Sequence, residues 1–238
     1  MIVANMATYP PRRESLIYSI ESLIFQVDIL NLCLNGYKEI PAELAAYGRV
    51  NPIIPDEDFM DVGKFLPDTD EDDYILLTDD DIVYPPDYLD TMFVEYSHYD
   101  DIGAVVGVHG VIYPDIYDGN PLHRRVFGFW EALDSARVVN QLGTGTVFAK
   151  GGRIPTLGDM IGSRRYTDVR FARICREKGI PLVAIRRRAG WLREIDGRAE
   201  SIYDGFTKKW DMDVRREVQD IAGYSKLDID AVLKVECE

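Results

Sequence analysis

Four short apolar runs separated by helical patterns fill the first eighty residues, and they constrain the fold more than any other feature. They are IVAN at 2–5, ILNLCL at 29–34, VNPII at 50–54 and YILLT at 74–78. Each reads as a strand. Between the first two, Pro10-Pro11 opens a helix, because proline is tolerated in a first turn. Leu16, Ile17, Ile20, Leu23 and Ile24 then recur on one helical face. Asn35-Gly36 is a turn signal, and residues 40–47 can hold a short helix. Strands alternating with helical patterns predict βαβ units and a parallel sheet. No GxGxxG follows any of these strands, so a dinucleotide site is not supported.

The second half is more mixed. GAVVGVHGVIY (103–113) and GTGTVFA (143–149) read as strands, 167–178 as a helix closed by Gly179, and PLVAI (181–185) as a further strand. Helical pieces rich in both charges follow from about residue 207. No repeat and no linker interrupts the 238 residues, of which 46% are hydrophobic. The chain therefore predicts one Rossmann-like α/β domain, with a mostly parallel central sheet flanked by helices and a C-terminal helical extension.

Charge and cysteine usage narrow the partners. A formal net charge of −14 disfavours a nucleic-acid backbone as main partner. Cys33, Cys175 and Cys237 are widely spaced and form no CxxC pair, which fits buried thiols in a reducing compartment. Residues 1–14 lack the apolar core of a signal peptide. No stretch approaches the roughly 18 apolar residues of a membrane span. A cytoplasmic protein is expected, with peripheral contact at the inner face of a membrane left open.

The stretch YILLTDDDIVYPPDYLD (74–90) carries the chemistry. In open parallel sheets, ligands sit beyond the carboxyl ends of the strands. Asp79, Asp80 and Asp81 stand there if 74–78 is a strand. Alternation would send Asp79 and Asp81 to one side and Asp80 to the other. Two carboxylates facing a cleft make a hard oxygen site suited to Mn²⁺ or Mg²⁺, which often takes its remaining ligands from water and substrate phosphates. The preceding acidic run, Asp68 and Asp70 to Asp73 with Glu71 among them, reads as solvated. Pro85-Pro86 reads as the stop that turns the chain away.

This region resembles the DxD segment of GT-A-fold glycosyltransferases of the family-2-like, bacterial surface-polysaccharide type. ATYPPRRESLIYSIESLIFQVD (7–28) is similar to their opening strand, loop and helix. GTGTVFAKGG (143–152) resembles their acceptor-side strand, and YTDVRFARICREKGIPLVAI (166–185) a later helix and strand. These matches keep the family's order over roughly residues 1–195. The resemblance implies a single GT-A domain with a nucleotide-sugar half (1–100), an acceptor-side half (101–195) and a lid with helical extension (196–238). It implies a metal-dependent, inverting transfer from a nucleoside-diphosphate sugar, UDP being the commonest nucleotide, to a hydroxyl of a glycan or lipid-linked glycan. Asp79 and Asp81 match the metal-facing pair, and Asp79 and Asp80 also lie where sugar or ribose would be met. Thr8, Tyr9 and Pro10 match the first nucleotide-contacting loop. Arg12, or else Arg13, is in reach of a diphosphate, and Asp61 and Lys64 match a base- or phosphate-contacting segment.

Asp168 matches the family's catalytic base. It follows Thr167, a good N-cap, and so stands in a first helical turn, where the dipole favours an anion. On the residues alone it is equally an ordinary helix-start aspartate, and Thr167-Asp168 departs from the family's usual Glu-Asp. His109 could complete a metal shell or touch the sugar, or else be a core histidine. Arg186, Arg187, Arg188 and Trp191 could meet phosphate or a sugar ring, or form a surface cluster. Residues 194–208 are the candidate lid, with Tyr203 and Trp210 as candidate covers. Two rival functions share these residues: a sugar-phosphate nucleotidyltransferase, and a non-catalytic carbohydrate-binding protein.

Overall fold

The computed structural model describes residues 1–120, 122–195 and 212–223. The first half follows the sequence pattern closely. Strand β1 (Ile2–Thr8) leads through a 3₁₀ turn at Pro10–Arg12 into helix α1 (Arg13–Leu23), then β2 (Ile29–Leu34) and β3 (Val50–Ile53). The short helices expected at 40–47 and found again at Met60–Phe65 are both 3₁₀. Strand β4 (Tyr74–Asp79) is followed by a two-residue turn, β5 (Ile82–Val83) and α2 (Tyr88–Ser97).

The second half is finer-grained than its sequence suggests. The run 103–113 makes two strands, β6 (Val105–Gly107) and β7 (Gly110–Ile112), in different sheets. The chain leaves the first sheet at Val108-His109, where both backbone N–H groups donate to the Thr146 side-chain hydroxyl at the start of the neighbouring strand instead of to a strand carbonyl. Then come β8 (Arg125–Phe127), β9 (Arg137–Val138), β10 (Gln141–Leu142), β11 (Thr146–Lys150), α3 (Leu157–Met160), α4 (Thr167–Glu177), β12 (Leu182–Ala184), β13 (Arg193–Glu194) and α5 (Met212–Ile221). Gly179, with a φ of +68°, follows α4 in the left-handed conformation that ends helices.

Among the described residues, eight strands form one mixed sheet in the order β3-β2-β1-β4-β11-β6-β12-β9. The pairs within β3-β2-β1-β4 are parallel, as is β6 with β12, whereas β11 runs antiparallel between β4 and β6. The chain moves outward from β1 to β2 and β3, then returns to place β4 on the other side of β1. That reversal opens a crevice at the carboxyl ends of β1 and β4. Ala7 pairs with Asp79 there, so Thr8 and the aspartate triad share one rim.

Buried apolar side chains fill both faces, and a polar rung crosses one of them. Asn31 Nδ2 donates to Asn5 Oδ1 at 2.9 Å, and Asn51 Nδ2 donates to Asn31 Oδ1 at 2.8 Å. These three are direct partners in the parallel register of β1, β2 and β3. A slip of one residue would break both bonds, so the rung fixes the register. Cys33 and Cys175 are free, buried thiols, as expected, whereas Cys237 lies outside the described residues. Among the described residues no helix is long and apolar enough to cross a bilayer. Replacing Asn31 with leucine leaves the buried Asn5 Oδ1 without its donor and should cost about 1–3 kcal/mol in urea unfolding. An unchanged or raised midpoint would show that the rung is dispensable.

Candidate functional site

The triad is held from below by α1. Ser19 Oγ donates to the Ile82 carbonyl at 2.8 Å, Ser22 Oγ accepts from the Tyr84 N–H at 3.1 Å, and just past the helix Gln26 bridges the Pro85 carbonyl and the Leu89 N–H. Spacings of three and four residues put this polar stripe on one side of the helix. Tyr84 adds a clamp from within: its buried hydroxyl accepts from the Asp79 N–H and donates to the Gly145 carbonyl, each at 2.8 Å. Burial pushes the Tyr84 phenol well above its usual value, so it remains a donor. On the other flank, β13 pairs with β5, and the Ile195 N–H donates to the Asp81 carbonyl. Residues 194 and 195 of the expected lid are thus fastened beside the triad, whereas 196–208, Tyr203 and Trp210 lie outside the described residues.

Each member of the triad meets a cation from the chain itself. Lys64, 3% exposed, donates Nζ to Asp79 Oδ1 and lies 3.4 Å from the Thr144 carbonyl oxygen. Arg12 Nη1 donates to Asp80 Oδ1 at 2.8 Å and to Asp81 Oδ2 at 2.6 Å. The split therefore falls between Asp79 and the pair Asp80–Asp81, not between the odd and even members. Strand β4 ends at Asp79, and the next two residues form a turn to which strand alternation does not extend. Burial disfavours the Lys64 charge, but Asp79 more than offsets it, and the ammonium is held above its ordinary pKa.

Asp168 enters from α4. Its Oδ1 accepts from both the N–H and the hydroxyl of Thr144, at 2.8 and 2.7 Å. Burial raises its pKa against those two donors, and it lies close enough to feel the charges of Asp79 and Lys64. Tyr166, not Thr167, is the N-cap of α4, and it makes no side-chain cap bond. The Thr167 hydroxyl donates instead to Asp61 Oδ2, while the Arg165 N–H donates to Asp61 Oδ1 at 2.8 Å. Asp61 thus ties the start of α4 to the 3₁₀ turn that carries Lys64. Met60 and Arg165, with φ of +51° and +75°, sit on either side of this joint. Left-handed backbone at non-glycine residues persists only where the surroundings hold it.

The remaining candidates lie at the rim or beyond it. Thr8 is buried beside Asp80, close enough for its side chain to favour the ionised carboxyl. Tyr9 and Pro10 are exposed, and the Tyr9 ring centre is 5.8 Å from the Arg12 guanidinium carbon. His109 packs near Phe129 and Trp130, with ring centres 6.1 Å away in both cases. Burial, with Arg124 and Arg187 adding to it, depresses its pKa to about 4. Among the described residues no three His, Cys, Asp or Glu side chains converge closely enough to hold an ion. The open carboxylates are Asp79, whose side chain is 42% exposed, and Asp81 at 16%. Both are oxygen donors of the kind a divalent ion takes, and each is paired with a cation of the chain, Asp79 with Lys64 and Asp81 with Arg12.

The basic run after β12 divides by burial. Arg187 is buried and donates to the carbonyls of Ile185, Phe127 and Gly128, anchoring the loop that bears Trp130. Arg186 pairs with Glu95 and Arg188 lies near Asp87, both at the surface. Trp191 is buried and donates to Asp87 Oδ1 at 3.0 Å. Arg187 and Trp191 are thus structural, whereas Arg186 and Arg188 stay largely exposed and, with Asp87 and Glu95, line a cavity of about 470 Å³ beside α2. Tyr84, Thr144 and Gly145 are the site residues that sequence reasoning passed over. A tyrosine inside an apolar run is a usable signal, because a buried hydroxyl needs a partner.

Among the described residues, five carboxylates (Asp61, Asp79, Asp80, Asp81 and Asp168) face two cations, Arg12 and Lys64. Such an excess of negative charge repels a diphosphate unless a further cation accompanies it. The chain matches no protein-family model, and no curated protein matches it.

Burial, opposed by Arg12, lifts the Asp80 carboxyl to about 6. Between that value and the ordinary 3.8 the folded chain holds a proton that the unfolded chain has released. Stability relative to an Asp80→Asn variant should therefore rise as pH falls across this window and level off above it. Carboxyl NMR should place the Asp80 midpoint near 6; an ordinary midpoint would show that burial does not govern the group.

Proposed function

We propose that the chain is a metal-dependent, inverting glycosyltransferase of the GT-A type. It moves a sugar from a nucleoside-diphosphate donor, UDP-linked by family precedent, to a hydroxyl of a glycan or glycolipid acceptor. One observation carries this reading. Lys64, Thr144 and Asp61 draw the aspartate triad of β4 and Asp168 of α4 into one cleft at the carboxyl ends of β1 and β4. Strand ends where chain order reverses are the usual seat of a nucleotide in an open α/β sheet.

Each residue then has a task. Thr8, Tyr9 and Pro10 line the donor rim, and Arg12 and Lys64 supply positive charge toward a diphosphate. Asp79 and Asp81 would hold Mn²⁺ or Mg²⁺, which when bound neutralises charge on the departing nucleoside diphosphate. Asp168 takes the proton of the attacking acceptor hydroxyl, and its raised pKa suits a base. Thr144 occupies one Asp168 oxygen with two donors and so fixes the orientation of the carboxylate. A base acting opposite the leaving group inverts the anomeric centre.

A panel of nucleotide-sugars with Mn²⁺ and a mixed-glycan acceptor, scored by released nucleoside diphosphate, tests the reading. Asp168→Asn should lower turnover by about 100-fold or more while leaving donor affinity within a few-fold of wild type. Full activity in a folded Asp168→Asn variant would remove Asp168 as the base. Pyrophosphate release from a nucleoside triphosphate and a sugar phosphate would favour the nucleotidyltransferase instead.

A further inference from the structure

We propose that Trp130 is the platform on which a pyranose ring of the acceptor stacks, so that the substrate receiving the sugar is itself a glycan. The assignment rests on the glycosyltransferase reading above and deepens it by giving the acceptor a place.

A single exposed apolar side chain is ordinary at a protein surface. Trp130 differs because it is large, 52% exposed and held still. A Cβ at Gly128 would lie 2.6 Å from Cε2, 2.7 Å from Cζ2 and 3.0 Å from Cδ2 of the indole. Cε2 and Cδ2 are the fused carbons, shielded within the ring plane by their neighbours, so Gly128 lies beneath one face of the ring. Phe129 stands edge-on to it, with centres 5.0 Å apart. The backbone of this loop is fixed as firmly. Arg187 donates to the Phe127 and Gly128 carbonyls, the Gly190 N–H donates to the Trp130 carbonyl at 2.9 Å, and Leu133 and Arg187 exchange both backbone bonds. A rigid, half-exposed aromatic ring gives a ligand contact area at little cost in entropy.

The place of the ring names the ligand. Its centre is 6.1 Å from that of His109. His109 in turn packs on Gly143, where a Cβ would lie 3.3 Å from the imidazole, and its carbonyl accepts the Gly143 N–H. The next residue, Thr144, holds Asp168. His109 is also near enough to Asp79 to feel its charge. The indole therefore stands one ring beyond the turn that holds Asp168, the group assigned to the acceptor hydroxyl. The C–H face of a pyranose matches the face of an indole, and its hydroxyls remain free to meet water or the polar rim. The charges of Arg124 and Glu131 reach His109 as well, so polar groups border the ring in place of the continuous apolar surface that a lipid chain needs.

Binding and transfer are tested separately on the intact chain. For binding, the protein is grown with fluorotryptophan, and the Trp130 fluorine resonance is identified by its loss in Trp130→Phe. Titration with maltohexaose, cellohexaose and chitohexaose, with UDP and Mn²⁺ present, should shift that resonance saturably for at least one glycan. For transfer to the mixed-glycan acceptor, Trp130→Ala should raise the acceptor KM about tenfold and Trp130→Phe about threefold or less, with the donor KM within about twofold in both. Phe25→Ala removes an aromatic side chain 85% exposed at the far end of α1, beside the amino end of β2, and should change neither constant. Circular dichroism checks each fold, and the resonance with Trp130→Phe serves if Trp130→Ala does not fold. A Trp130 resonance that no glycan moves, or that moves only with phosphatidylglycerol vesicles or with protein concentration, would overturn the platform. Transfer with a wild-type acceptor KM in Trp130→Ala would do the same while leaving the glycosyltransferase reading intact. A glycan-induced shift with no transfer from any donor keeps the glycan site but sinks the transferase reading. Neither shift nor transfer removes both.

Discussion

A buried ammonium group sets the terms for this fold. Lys64 is enclosed by the chain, and an unpaired charge in that position would cost far more than a domain can spare. The ammonium must therefore be met by Asp79 and by the Thr144 carbonyl, and meeting it pins three separate segments. The carboxyl end of β4 arrives from one side and the Thr144-Gly145 turn before β11 from another. The 3₁₀ turn carrying Lys64 packs so tightly on β2 that a Cβ at Gly63 would lie 2.7 Å from the Cys33 sulfur. Thr144 passes the constraint on to Asp168, and Asp61 returns it from α4 to the Lys64 turn. The result is a closed circuit of hydrogen bonds around one cleft.

That circuit depends on small residues as much as on charged ones. A Cβ at Gly145 would overlap the Asp79 carboxylate, so only glycine lets the aspartate lie across the turn toward Lys64. Tyr84 locks the same two residues through their backbones. The antiparallel strand β11, wedged between β4 and β6, delivers this turn to the rim where β1 and β4 end. Sheet topology, packing and electrostatics thus converge on one place, and the surplus of carboxylates there leaves it disposed toward cations.

Much of the first half was legible in the sequence because its signals are local. Apolar runs of strand length, a proline-opened helix and a turn dipeptide mark β1, α1, β2 and the loop after it. The aspartates stood out because charge directly follows an apolar strand. The helix α2 did not stand out: Pro85-Pro86 read as a stop, although Tyr88, Met92 and Tyr96 recur at fourfold spacing and are all buried. The division of 103–113 between two sheets, and the insertion of β11, reflect long-range pairing that no local period encodes. The same holds within the site. Lys64 and Asp79 are fifteen residues apart, and Asp61 and Thr167 more than a hundred, so their partnership belongs to the tertiary fold. Three adjacent aspartates repel one another, and the chain relieves part of that repulsion with Arg12 and Lys64, which no local pattern announces.

The central claim is that the cleft at the ends of β1 and β4 receives a nucleoside diphosphate together with a divalent cation. Calorimetric titration of the intact chain with UDP and GDP, in Mn²⁺ and again in chelator, tests it most directly. The account predicts saturable binding of at least one nucleotide in Mn²⁺, lost in chelator and lost in an Asp81→Asn variant that keeps its fold. No binding under either condition, or binding indifferent to both metal and Asp81, would contradict it.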